Sequence, residues 1–138
     1  MASISGIAHI QLSVSSMARS VPFYETLLHA MEMVTLVNDP QFFYCIGGKT
    51  GVAISPIEPE FQDQSFNQRR AGLHHLCFRA KTREDVDALF KVAVELEARI
   101  VRPPTETNWA PGYYSVLFED PDGIRIEVNF VPGKGHLA

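Results

Sequence analysis

His9, His75 and Glu127 are the side chains of this sequence whose types and placement could do chemistry together. Two neutral imidazoles and one carboxylate form a donor set for a divalent cation of the Fe, Mn, Zn, Ni or Co kind. Three protein donors leave coordination positions open, which separates a catalytic metal site from a closed structural one. A single histidine on a strand is most often structural. What sets these two apart is their equivalent place in an internal repeat.

The repeat appears when GIAHIQLSV (6–14) is laid over GLHHLCFRA (72–80). Glycine meets glycine, His9 meets His75, Ile10 meets Leu76 and Leu12 meets Phe78, at an offset of 66 (75 − 9). Each segment runs into a helix-start signal: Ser16 before MARSVPFYETLLHA, and Thr82 before REDVDALFKVAVELEA with Asp85 at the capping-box position. Pro22 falls in the first two turns, where a missing N–H costs least. GVAISP (51–56) lies over GIRIEV (123–128) at an offset of 72, so about six residues are inserted in the second half, within PPTETNWAPGYY.

Each half therefore reads strand, helix, then three strands. The spans are 6–14, 17–30, 32–37, 41–47 and 51–57, then 73–80, 83–98, 99–102, 113–119 and 124–130. The fold expected is α+β: two tandem βαβββ modules, about 6–57 and 72–131, forming a curved mixed sheet around a metal-binding cup. The polar stretch 58–70 joins them, and DPDG (120–123) is a hairpin turn. Pro103 to Gly112, holding the lone Trp109, reads as a long loop in which Trp109 packs as an anchor. The tail 131–138 reads as a segment able to cover a neighbouring surface.

Side chains alternate along a strand, so parity assigns faces. Ala8, Ile10, Leu12 and Val14 fall on the face covered by a helix, as do His74, Leu76, Phe78 and Ala80, and Ile124, Ile126, Val128 and Phe130. The opposite faces carry His9, Gln11 and Ser13; Leu73, His75, Cys77 and Arg79; and Arg125, Glu127 and Asn129. Gln11, Ser55, Arg79, Tyr113, Ser115, Arg125 and Asn129 are the expected substrate-orienting residues, with Arg125 placed to hold a substrate carboxylate or to pair with Glu127.

At 138 residues the chain can bury a core, and 46% hydrophobic with 20% charged residues is ordinary for a globular protein. A net charge of −4 supplies no broad basic surface, which excludes nucleic acid as a partner. No apolar run approaches a membrane span, and no secretory signal opens the chain. Cys45 and Cys77 read as unpaired thiols, so a cytoplasmic setting is expected. Exposed sheet edges point to a homodimer.

IAHIQLSV, GLHHLCFRA and YYSVLFEDPDGIRIEVN resemble the vicinal oxygen chelate superfamily, which groups glyoxalase I, bleomycin-resistance proteins and extradiol dioxygenases. The resemblance runs from Gly6 to about Gly133. It implies paired βαβββ modules and one divalent metal that chelates two adjacent oxygens of a small substrate, with His9, His75 and Glu127 at the ligand positions. It implies an enzyme of lyase, isomerase or dioxygenase type, with Glu127 also counted as catalytic. Ser55 stands where glyoxalase I adds a fourth, carboxylate ligand, so standard four-ligand chemistry is not implied. Leu117 stands where dioxygenases carry tyrosine, and no histidine lies between His29 and His74 to supply their extra one; Tyr113 shares the parity of Leu117. The alternative is a non-catalytic protein that sequesters a small molecule, as bleomycin-resistance proteins do.

Overall fold

The computed structural model describes residues 1–133, so the tail from Lys134 onward lies outside the described residues. Two compact units divide the chain, one spanning Met1–Gln64 and the other beginning at Ser65. Each builds strand, helix and three strands around a four-stranded mixed sheet.

In the first unit, β1 (His9–Val14) leads into α1 (Met17–Ala30), then β2 (Val34–Asp39), β3 (Phe42–Gly47) and β4 (Thr50–Pro56). The sheet order is β1-β4-β3-β2, with β1 parallel to β4 and the other pairs antiparallel. Ser16 caps α1 by accepting from the Arg19 N–H at 3.3 Å. Phe23, Tyr24, Leu27 and Leu28 of the helix are buried, as are Leu12, Val14, Phe43, Cys45, Val52 and Ile54 of the sheet. Helix spacing and strand alternation thus direct apolar rows to one shared core.

The second unit repeats this plan with β5 (Leu76–Arg79), α2 (Arg83–Glu95), β6 (Arg99–Thr107), β7 (Tyr113–Glu119) and β8 (Arg125–Phe130), in sheet order β5-β8-β7-β6. The expected capping box is present: the Thr82 hydroxyl accepts from the Asp85 N–H at 3.1 Å, and the Asp85 carboxylate accepts from the Thr82 N–H at 3.0 Å. Val86, Leu89 and Ala93 face the buried row Val116, Phe118, Ile126 and Val128.

Both helices end in the same way. Met33 N–H bonds to Leu28 C=O and Glu32 N–H to His29 C=O, each at 3.0 Å; Ala98 to Ala93 and Glu97 to Val94 repeat the pattern, also at 3.0 Å. These are Schellman closures. They place Glu32 at φ 63° and Glu97 at φ 58°, a left-handed conformation that L side chains resist. The closure at Glu32 consumes residues expected in the next strand, so β2 begins at Val34 rather than at 32.

Other boundaries also differ. β6 runs through Thr107, whereas a loop was expected from Pro103. It is an edge strand, and its pairing with β7 shifts register between Arg102 and Thr105. An edge with a bulge tolerates Pro103 and Pro104, which have no N–H to donate. Only residues 108–112 remain as loop, and Trp109 is 76% exposed rather than packed as an anchor. Ala8, expected on the covered face, precedes β1 and is exposed. His74 was expected in the core, but β5 starts at Leu76, so strand alternation does not reach back to it and it too is exposed.

Candidate functional site

The hairpin at 120–123 sets the register of the second sheet's polar face. Asp120 is buried, and one of its carboxylate oxygens accepts from the N–H groups of Asp122 and Ile124, both at 2.8 Å. Gly123, at φ 85°, supplies the left-handed step that closes the turn into β8. Strand pairing then aligns Cys77, Glu127, Leu117 and Arg102 in one row, and Arg79, Asn129, Ser115 and Thr105 in the next.

Glu127 lies at the centre of this face and is buried, only 8% exposed. One carboxylate oxygen meets His75 Nε2 at 3.3 Å. The other accepts a short hydrogen bond from the Tyr113 hydroxyl, which itself accepts from Asn129 Nδ2 at 3.0 Å. Loss of hydration, followed by the bond to Glu127, pushes the Tyr113 phenol above its ordinary range. Tyr113 therefore keeps its proton at neutral pH and acts as a hydrogen-bond donor.

His75 precedes β5 and stands against His74, with Nδ1···Nδ1 at 2.8 Å and rings edge to face at 5.1 Å. One of these nitrogens must donate and the other accept. When His75 donates from Nδ1, its Nε2 lone pair is free to bind a cation. Two donors about 2.1 Å from a shared cation and roughly at right angles stand about 3 Å apart. The pair His75 Nε2 and Glu127 Oε1 meets that requirement. The donor chemistry fits a divalent ion, although among the described residues no group of three or more His, Cys, Asp and Glu side chains is gathered to hold one.

Cys45 and Cys77 are both free thiols. Cys77 keeps an exposed side beside Glu127; desolvation of its thiolate and then the Glu127 charge push its thiol up to about 12.

The remaining expected residues divide by unit. In the first sheet, His9 opens β1 and pairs with Gly51, and Gln11 Nε2 donates to the Ser55 hydroxyl at 3.0 Å on the same face. In the second, Arg125 pairs with Glu119 at 3.4 Å, and Arg99 holds the same carboxylate at 3.3 Å. Ser115 is fully buried and accepts from Arg102 Nη2 at 2.7 Å. Arg79 is exposed.

Three residues escaped the sequence reading. Tyr44 lies across Gly51 so closely that a Cβ there would stand 2.3 Å from its hydroxyl. The parity of FFYCIG, with Phe43 and Cys45 buried, was the signal that could have found it. Arg102 was hidden in a segment assigned too short a strand, and His74 by extending alternation beyond the strand's start.

Two βαβββ units, each a four-stranded mixed sheet with one helix, are the architecture of the glyoxalase and dioxygenase-like fold. The family model of the glyoxalase/bleomycin resistance protein/dioxygenase superfamily matches residues 6–128, and the chain belongs to that superfamily. It is 28% identical over 126 residues to metallothiol transferase FosB of Shouchella clausii, covering 91% of this chain and 80% of that one. The solved structure of a candidate glyoxalase from Bacillus halodurans is similar at 28% identity and a TM-score of 0.81, over 92% of this chain and 96% of that one. A lactoylglutathione lyase from Agrobacterium tumefaciens shares the fold at 21% identity and a TM-score of 0.67, over 93% and 95% of the two chains.

Proposed function

We propose that this protein is a metal-dependent enzyme acting on a small substrate through two adjacent oxygens, with His75, Glu127 and His9 as the metal donors. The observation that carries this reading is the meeting of His75 Nε2 and Glu127 Oε1 at 3.3 Å, with the far nitrogen of His75 held by His74. His9 joins them through its equivalent place in the repeat. His75, Glu127 and His9 would hold a divalent cation, whose Lewis acidity would stabilise charge developing on the substrate oxygens.

The chain's own residues do the remaining work. Tyr113, held between Glu127 and Asn129, offers a proton to an oxygen that gains charge. Gln11 and Ser55 form a hydrogen-bonded polar pair on the first sheet, and Arg79, Ser115, Arg125 and Asn129 orient substrate on the second. The protein works as a cytoplasmic homodimer, the exposed Val34 and Leu36 on edge strand β2 being the motive for the dimer. No described helix is long and apolar enough to cross a membrane.

Elemental analysis of protein purified without chelators tests the metal centre. One divalent ion per chain, lost in His75→Ala and in His9→Ala, is expected; a metal-free protein that still binds small molecules would favour the sequestering alternative. Reaction class follows from three assays on the loaded protein: oxygen uptake with catechols, loss of the methylglyoxal–glutathione hemithioacetal, and consumption of thiol with an electrophile. The printed name of the Shouchella relative motivates the third. Absence of a carboxylate at Ser55 leads us to expect weak or no hemithioacetal turnover.

A further inference from the structure

The β6–β7 side of the second sheet carries buried donors that nothing among the described residues satisfies. Among the described residues Arg102 Nε is buried without a hydrogen-bond partner, and so is Thr107 Oγ1. Ser115, with no exposed surface, accepts from Arg102 Nη2 at 2.7 Å, and among the described residues nothing accepts its hydroxyl proton in turn. Buried polar groups are normally paired, since leaving one unmet forfeits its hydration with nothing in return.

The unmet groups share one face. Arg102 opposes Leu117, Thr105 opposes Ser115 and Thr107 opposes Tyr113. The Thr105 hydroxyl is turned to the Pro103 carbonyl at 2.7 Å and is already satisfied. Among the described residues Arg102 is not ion-paired, whereas Arg83, Arg99 and Arg125 all have carboxylate partners. A guanidinium edge and two hydroxyl protons, all lacking acceptors, call for a group that only accepts. A compact oxyanion is such a group.

We propose that Arg102, Ser115 and Thr107 form an oxyanion subsite, so that the substrate is a small organic acid rather than a neutral molecule. Arg102 and Glu127 lie in one row with Leu117 between them. Two strand spacings, about 10 Å, therefore separate their backbones. The fitting substrate carries its acid group a few bonds from the two adjacent oxygens. This inference deepens the reading that His75 and Glu127 bind the reacting end.

Titration of the full-length protein with sodium acetate and with inorganic phosphate, followed by NMR of the Arg102 Nε–H and the Ser115 and Thr107 amides, tests it. Acetamide serves as the neutral control, and the protein is measured both metal-free and loaded with zinc. Saturable shifts centred on those groups are expected for at least one of the two anions, with acetate against phosphate deciding between a planar and a tetrahedral acid group. Arg102→Gln should weaken binding at least tenfold, and Thr107→Val several-fold. Arg102→Lys keeps the charge and part of the affinity should the glutamine variant not fold. No saturable shift, an unchanged affinity in both Arg102→Lys and Thr107→Val, or equal binding of acetamide overturns the subsite. His75→Ala separates the two claims: lost metal with retained anion binding supports both. A wild type that never takes up metal but still binds anion overturns only the metal reading.

Discussion

His74 is the residue through which the second unit controls His75. A ligating histidine is commonly fixed by a hydrogen bond at its other ring nitrogen, and loss of that partner typically weakens metal binding 10- to 100-fold. His74→Phe removes the nitrogen that stands 2.8 Å from His75 Nδ1 while keeping a ring in place. A fall of about that size in zinc affinity, read by competition with a chelating dye, is the expected outcome; unchanged affinity would show that His75 needs no such partner. Cys77 gives a second prediction. Desolvation and then the negative Glu127 raise its pKa to about 12, so the reactive thiolate is scarce at neutral pH. Iodoacetamide labelling of the metal-free protein should be slow at pH 7 and rise about tenfold per pH unit. Glu127→Gln removes the raising charge, lowers the thiol pKa and should speed labelling at pH 8; a slower or unchanged rate would contradict that cause.

The elements were legible to different degrees, for physical reasons. Helix starts were readable because Ser16 and Thr82 announce them with side chains that bond within the chain's own next turn. The DPDG hairpin was readable for the same reason, being a local closure. The extent of β5 and β6 was not, since an edge strand with a bulge ends where its partner allows rather than where its own residues change type. The three proposed donors could be named from repeat and parity, but His74 and Arg102 required knowing where strands stop. The end of α1 was read correctly at Ala30, but α2 stops at Glu95 rather than at 98: glycine is the usual signal of such an end, and this chain uses glutamate at both Schellman closures. Glu32→Gly and Glu97→Gly should each raise stability by roughly 0.5–1 kcal/mol in urea melts. Thr82→Ala should lower it by about 1 kcal/mol. A loss of stability in both glycine variants would mean that the glutamate side chains contribute more than the left-handed backbone costs.

At the scale of the molecule, each unit has its own sheet and its own buried row, with the repeat preserved inside the core. Phe43 pairs across strands with Ile54, and Phe118 with Ile126. Both phenylalanines are fully buried, so truncating either to alanine should cost about 3–5 kcal/mol. Hydrogen exchange should show the loosening concentrated in the sheet that lost the ring; uniform loosening of both sheets would mean that the two units open as one. The parallel pairs have a consequence for how the protein is born. His9 pairs with Gly51, 42 residues later (51 − 9), and Leu76 with Ile126, 50 residues later (126 − 76). During synthesis the opening strand of each unit must therefore wait, unpaired and apolar on one side, until nearly its whole unit has left the ribosome.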